Sequence, residues 1–270
     1  MRARVAVVYL AREAVAVQPF IHAYKKYSPG VKADLIWLRK GDGGPFAPMV
    51  ELTTERIIHI NDEGQSLCAF NKALRLIAGD YGFICYLNSW SKPRVEGWLS
   101  YLVDAANYPR SGLCGATASC ESFSSNQLNP VKRSLRKFLF PPFPNPHIRT
   151  TGFCAKSGVL LAIWPKRFYG YKSLEHMHEA GRWSISRRAE AMGLQNWVVG
   201  TDGKMLHVSG CWTPHYFRNH DADKLLISDN QTSYYAIASK AERGWLEHKA
   251  WGREWHSENP MLKRIKCVNE

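Results

Sequence analysis

Over the first hundred residues the apolar positions switch between two periods. Val5 to Leu10 is a continuous apolar run, the pattern of a strand buried on both faces. Val15 to Tyr27 has helical spacing and stops at Ser28-Pro29-Gly30. Leu35 to Leu38 and Arg56 to Ile60 predict two further strands. Leu67, Phe70, Leu74 and Ile77 fall on one face of a second helix, with Gly79 placed to cap it. Tyr81 to Leu87 predicts a fourth strand. This order predicts a mostly parallel α/β sheet flanked by helices, with ligands beyond the carboxyl ends of the strands. Those ends are Tyr9, Leu10 and Ala11; Lys40 and Gly41; Asn61 and Asp62; and Asn88, Ser89, Trp90 and Ser91.

The pattern then changes. Ser122 to Arg149 is polar, basic and proline-rich, which predicts a long ordered loop with one short basic helix at Val131 to Phe140. Leu174 to Met192 predicts a helix closed by Gly193. Asn196 to Val199 and Met205 to Val208 predict a hairpin turning at Thr201-Asp-Gly-Lys204. Ser239 to Cys267 again has helical spacing, with Trp245, Trp251 and Trp255 among lysines and arginines. Without internal repeats, the reading is one domain over 1–235 and a C-terminal helical extension over 236–270.

Composition narrows the class. A hydrophobic content of 45% excludes a disordered chain, and the longest apolar runs are too short to span a bilayer. The basic start and the short apolar run after it read as a first strand rather than a signal peptide, since no small-residue cleavage site follows. Seven cysteines without a CxxC pair suit reduced core thiols of a cytosolic protein. The net charge of +13 is uneven: Ser122 to Leu174 holds no Asp or Glu and nine Lys or Arg. Such a field attracts phosphates, whether on nucleotides, lipid head groups or nucleic acid.

No GxGxxG, GKS/T phosphate loop, GxSxG or HExxH occurs, which disfavours dinucleotide enzymes, common NTPases, α/β-hydrolases and zincins. The segment from Asn61-Asp-Glu-Gly through Ala69-Phe-Asn71, then Gly79-Asp-Tyr to Leu87-Asn-Ser-Trp-Ser91, carries a resemblance. It resembles the NxGxxxAxN…GDYxxFLN stretch of family 2-type glycosyltransferases, including bacterial rhamnosyltransferase-like enzymes. Weaker agreement continues through Gly97-Trp98-Leu99, Gly112 to Thr117, Asn145 to Phe153, His178-Glu-Ala-Gly-Arg182 and Asp229-Asn230-Gln-Thr232. The resemblance implies a GT-A, Rossmann-like fold and a nucleotide-sugar donor. The implied acceptor is a glycan or lipid-linked hydroxyl of envelope polysaccharide or lipopolysaccharide synthesis, reached from the cytoplasm at the inner face of the membrane.

In such a transfer negative charge grows on the departing nucleotide diphosphate, and an inverting enzyme must also deprotonate the acceptor. The resemblance places a metal-binding DxD where this chain has Asn88-Ser89-Trp90. Asn88 retains hydrogen-bonding capacity toward a ribose or diphosphate, but Trp90 cannot ligate Mn²⁺ or Mg²⁺, so metal dependence stays open. His207 aligns loosely with a metal-completing histidine, although a core or surface role carries more weight. Arg149, with Arg182 and Lys40 behind it, is the cation expected to replace a metal, in the acid-free stretch with His147. For the base the family pattern favours Glu179 over Glu175, whose place early in its helix also suits the helix dipole. Asp62 and Asn71 match positions near the nucleotide, and Tyr9 to Ala11 are expected to line base and ribose. The C-terminal tryptophans and their cations suit either packing or the head-group region of an anionic membrane. Two rivals remain: a non-catalytic nucleotide- or glycan-binding relative, favoured by the missing acids, and a nucleic-acid binder, for which no recognition motif is present.

Overall fold

The structure is a computed structural model that describes residues 3–41, 56–61, 64–127, 129–165, 172–208, 217–218 and 222–251. Strand β1 (Val5–Ala11) is buried at all seven positions, as its unbroken apolar run requires of a strand covered on both faces. Helix α1 (Ala14–Lys26) buries Val17, Phe20 and Ile21 and ends on Lys25 and Lys26, which suit the negative end of its dipole. Strands β2 (Asp34–Lys40) and β3 (Arg56–Ile60) follow. Helix α2 (Ser66–Ile77) turns Leu67, Phe70, Leu74 and Ile77 inward, as their spacing predicts. Its C-cap is Ala78 rather than Gly79, because Ala78 N–H still reaches the Leu74 carbonyl in right-handed geometry. Strand β4 (Phe83–Leu87) begins two residues later than the apolar run, since Gly82 N–H turns to the Arg4 carbonyl.

The remaining elements are β5 (Lys92–Pro93), α3 (Trp98–Asn107), β6 (Ser111–Gly115), β7 (Ala118–Ser119), α4 (Pro130–Leu139), β8 (His147–Ile148), β9 (Gly152–Lys156) and α5 (Ser157–Ile163). They are followed by α6 (Lys172–Ala180), α7 (Ile185–Ala191), β10 (Gln195–Val199), β11 (Met205–His207), β12 (Ile227–Ser228), α8 (Asn230–Ile237) and α9 (Lys240–Trp251). The helix expected over 174–192 is thus two. Gly181 sits so close to the Met177 carbonyl that a side chain would collide with it, and Ser184 restarts the chain by accepting Arg187 N–H at 3.3 Å. Gly193, at φ 74°, closes α7 as predicted. The predicted hairpin is β10 against β11, turning through Gly203 at φ 73°.

Eight strands form one sheet in the order β11-β10-β6-β9-β4-β1-β2-β3. Ladders β1–β2, β1–β4, β2–β3 and β6–β10 are parallel, while β9 and β11 run the other way. This is the mostly parallel, helix-flanked α/β sheet that the alternating pattern predicts. One face packs Tyr86, Phe153 and Trp164 with α2, α5 and α7. The other packs Trp37, Phe20 and Trp98 with α1 and α3. Cys68, Cys85, Cys114, Cys120 and Cys154 are buried, and burial pushes the Cys114 thiol up to about 12. Among the described residues no helix is long and apolar enough to cross a membrane.

Helix α8 runs through residue 235, where the sequence reading divides the chain. Helix α9 packs on the body through Ala250 and Trp251, against Cys120 and Phe217. The Trp251 indole N–H donates to the Phe217 carbonyl at 2.8 Å, so this tryptophan is core and not a membrane contact. Trp245 is exposed beside Lys249, and Trp255 lies outside the described residues.

Candidate active site

Because β9 is inserted antiparallel between β4 and β6, its entering segment arrives at the same edge where the parallel strands end. Leu87 pairs with Gly152, which puts Arg149, Thr150 and Thr151 beside Asn88 to Ser91. Asn88 N–H donates to the Thr151 carbonyl at 3.4 Å, and the Ser91 hydroxyl donates to the same oxygen. The small β5–β12 ladder pairs Lys92 with Ser228 and so delivers Asp229 to this edge. One Asp229 oxygen accepts the Thr151 hydroxyl at 2.8 Å, and the other accepts Thr232 N–H at 2.8 Å in a capping box that starts α8.

The charged groups gather next to this frame. Glu179, in the last turn of α6, is half-buried, and its Oε1 accepts both the Thr150 N–H at 3.2 Å and the Thr150 hydroxyl at 3.0 Å. Oε2 takes no donor among the described residues. Burial raises the Glu179 carboxyl, but the Arg149 guanidinium and the Thr150 donors outweigh it and hold the group below the ordinary carboxylate range. His147 is buried, with Nδ1 2.7 Å from the Asn145 carbonyl. Burial, assisted by Arg149, lowers its imidazole below the usual range against the pull of Glu179 and the carbonyl, so it is neutral near pH 7.

Two guanidinium groups converge here on one neutral acceptor. Arg149 Nη2 and Arg218 Nη2 donate to the same oxygen, Gln231 Oε1, at 2.9 and 3.0 Å. Both lie against the Phe217 ring, at 3.9 and 4.8 Å from its centroid. Burial and the neighbouring Arg149 charge lower the Arg218 guanidinium to about 10. The Nε atoms of both arginines are buried without a hydrogen-bond acceptor, as is the Thr117 hydroxyl oxygen. Arg218 also holds a left-handed backbone, φ 51°, which costs a side-chain-bearing residue about 1–2 kcal/mol. Two like charges, unfilled donors and a strained backbone in one place are the physical profile of an anion site.

The structure brings Glu179, Arg149, His147, Asn88, Ser89 and Ser91 to this edge and sets other expected residues apart. Arg182 does not face the cluster: its Nε and Nη2 donate to the Lys137 carbonyl at 3.2 and 3.0 Å, fastening α4. Glu175 is buried, and its Oε1 takes Gln65 N–H and, at 3.2 Å, Cys68 N–H, so it caps α2 from outside. Burial raises its carboxyl despite these bonds and nearby Lys40. Gly64 makes that approach possible, for a side chain there would come within 3.0 Å of Glu175 Oε1 and closer still to Cys68. Lys40 donates to the Gly64 carbonyl.

Asn71 is buried in α2 and reaches the Pro165 carbonyl at 3.5 Å. The side chains of Tyr9, Leu10 and Ala11 are wholly within the core, Tyr9 stacked on Phe20 at 3.9 Å with its hydroxyl on the Ser89 carbonyl. That strand end therefore offers a ligand backbone atoms only, because β1 is central and covered on both faces. His207 lies on β11 at the far edge of the sheet, packed edge-on against Trp197 at 5.1 Å. Asp62 lies outside the described residues. Sequence reasoning missed Arg218 and Phe217, which sit in no periodic segment, and Gln231, whose only signal is the Asp229-Asn230-Gln-Thr232 block.

The described residues do not fit a divalent cation. Among them no group of three His, Cys, Asp or Glu is placed to hold a metal. At the strand end stand Asn88, Ser89 and Trp90, and the nearby Asp229 oxygens are both committed to hydroxyl and backbone donors. A cavity of about 1120 Å³ opens at the opposite edge, by Val5, Asp34 and Phe83. Its ion pair, Arg4 to Asp34 at 2.7 Å, neutralises itself, whereas Arg149 and Arg218 meet each other on the neutral Gln231 oxygen.

No protein-family model matches the chain, and no curated protein matches it. Among solved structures it is similar to the mannosyltransferase PcManGT from Pyrobaculum calidifontis, solved in complex with GDP-Man and Mn²⁺. The TM-score is 0.50 with 14% identity, over 99% of this chain and 74% of that one. At that identity the likeness is one of architecture: this chain has a Rossmann-like, GT-A-type glycosyltransferase fold.

Proposed function

We propose that this protein transfers a sugar from a nucleotide-sugar donor to a hydroxyl of a glycan or lipid-linked acceptor. The observation that carries the reading is the pairing of Glu179, ionised and with one oxygen unengaged, with two arginines that share a single neutral acceptor. The acceptor oxygen attacks the anomeric carbon from the side opposite the diphosphate. The carbon–oxygen bond to the diphosphate breaks, its electron pair leaves on the phosphate oxygen, and Glu179 takes the acceptor proton. Arg149 and Arg218 stabilise the charge that grows on the leaving group. Arg149 links the two tasks: once a diphosphate engages its charge, its hold on Glu179 weakens and the carboxylate becomes a better base.

No step of this scheme needs a cation at Asn88-Ser89-Trp90. Envelope polysaccharide or lipopolysaccharide synthesis at the inner face of the cytoplasmic membrane is the setting we propose, on the strength of the sequence resemblance. A second reading, nucleotide binding without transfer, draws on the same missing acids. The test is a panel of UDP-, GDP- and dTDP-sugars, followed by thermal shift and by nucleoside diphosphate release, with Mn²⁺ and with EDTA. One donor is expected to stabilise the protein and be consumed in both conditions. Stabilisation without consumption supports the binding reading, and no response to any nucleotide sugar rejects both.

A further inference from the structure

Helix α4 inverts the usual relation between a surface helix and its protein. Val131, Leu135, Phe138 and Leu139 follow the i, i+4, i+7, i+8 spacing of one apolar stripe, and that stripe points outward. Their exposures are 68, 64, 73 and 38%, and the helix buries none of its residues. Lys132, Arg133, Arg136 and Lys137 occupy the complementary arc. A ten-residue helix is marginal alone in water, so something must hold it. Asn129 caps it by accepting Lys132 N–H at 3.0 Å, with Pro130 at its first position. Arg182 grips its last turn through the Lys137 carbonyl and, by its own N–H, the Leu139 carbonyl at 2.9 Å. Arg133 donates to the Gln127 carbonyl at 2.9 Å, and the buried Phe140 ring lies tilted against Phe123 at 5.1 Å. The body thus grips this helix by its backbone and its basic side, and no described residue covers the apolar side.

From this we infer that α4 is a docking helix for an anionic lipid bilayer. A phospholipid surface suits an apolar stripe about 100° wide bordered by cations, because acyl chains take Val131, Leu135, Phe138 and Leu139 while head-group phosphates take the flanking charges. Carbonyl bonds leave the charges of Arg133 and Arg136 unneutralised, and the stretch from Ser122 to Leu174 has no acid to offset them. Trp183, half exposed and next to Arg182, supplies an aromatic of the kind that sits at head-group level. Lipid contact through α4, rather than through the C-terminal tryptophans, also places Glu179 three residues from the helix's clamp. On the transferase reading, a lipid-linked hydroxyl would then be presented to the base.

The test is flotation of the full chain with vesicles of phosphatidylcholine alone and of phosphatidylcholine mixed with phosphatidylglycerol. Two double variants accompany it, Leu135→Asp/Phe138→Asp and Lys132→Gln/Lys137→Gln, with circular dichroism checking the fold. Binding to the mixed vesicles only is expected, with release as salt rises from about 0.1 to about 0.5 M. The apolar-face variant should bind at least about tenfold more weakly and the charge variant several-fold more weakly. Absent or charge-independent binding, or binding unchanged in the Leu135→Asp/Phe138→Asp variant, overturns the proposal. So does conversion of a dimer to a monomer by that variant in vesicle-free solution, which would make the face a contact between two copies. Flotation does not depend on turnover, and vesicle-free turnover should be the same in that variant, so the docking and transferase readings fail separately.

Discussion

The two halves of the carboxyl edge treat their polar groups in opposite ways. Around β1, β2 and α2, three side chains that could serve a ligand are engaged inside the protein instead. Tyr9 holds the Ser89 carbonyl, Lys40 the Gly64 carbonyl, and Glu175 the free N–H groups at the start of α2. Around β9, α6 and α8, two guanidiniums divide one glutamine oxygen and their Nε atoms have no acceptor. A buried polar group left unmatched is costly unless a ligand completes it. The convergence of two guanidinium groups on one neutral oxygen therefore marks the candidate site where position relative to the strand ends does not.

The largest effect that would break this contrast is at Glu179. Glu179→Gln removes the proton acceptor with little change of shape, and turnover should fall about 10²–10⁴-fold with the fold retained by circular dichroism. Turnover that survives this change assigns the base elsewhere. Next come the arginines. Arg149→Met and Arg218→Met should each lower kcat/KM for the donor by about 10–100-fold, as loss of a charged hydrogen bond of about 1.5–3 kcal/mol implies. The double variant should lose less than the product of the two, since both act on one anion through one shared acceptor. Arg218→Lys should not restore activity, for an ammonium cannot bridge Gln231 and a phosphate as a planar fork does. Full additivity would separate the two arginines into independent roles.

Much of the first half was legible because its signal is local. The periods of Val5 to Leu10 and of Leu67 to Ile77 fix strand and helix without reference to anything distant. Residues 92–121 and 150–156 gave no element. Their strands are two to five residues long, and Gly152-Phe-Cys-Ala-Lys156 has no alternation, because β9 is covered on both faces by its place in the sheet. Glu179 was visible as a candidate by its motif and Arg149 as a cation in an acid-free stretch. Arg218 was not, since only the fold sets it opposite Gln231, 13 residues along the chain. The same limit explains Glu175 and Arg182: both have the right chemistry near the right helix, and only tertiary contacts show that one caps α2 and the other fastens α4.

A smaller effect should fall on stability alone. Glu175→Ala leaves the buried Cys68 N–H and the half-buried Gln65 N–H without this acceptor, a loss of about 2–3 kcal/mol. For a chain of this size that lowers Tm by about 5–10 °C. Donor kcat/KM per folded molecule should be unchanged. A loss of turnover at unchanged Tm would move Glu175 from scaffold to site.

The smallest effect is a sign, and it sharpens the contrast between the same two residues. Glu179 is held below the ordinary carboxylate range by Arg149 and Thr150 despite its burial, so the native state binds its proton less readily than the unfolded chain. Its contribution is present above the unfolded value of about 4.3 and is lost as pH falls through the lower folded value. Glu175 is raised by burial, so its contribution is present in acid and is lost as pH rises through the folded value above the ordinary range. Urea unfolding of Glu179→Gln, Glu175→Gln and the parent across pH 3 to 7 reads this directly, in steps of about one pH unit. Relative to the parent, Glu179→Gln should lose ground as pH rises across the acid range, and Glu175→Gln should gain ground as pH rises above it. Two slopes of the same sign would mean that the carboxylates share one environment, and the division between scaffold and site would then have to be drawn elsewhere.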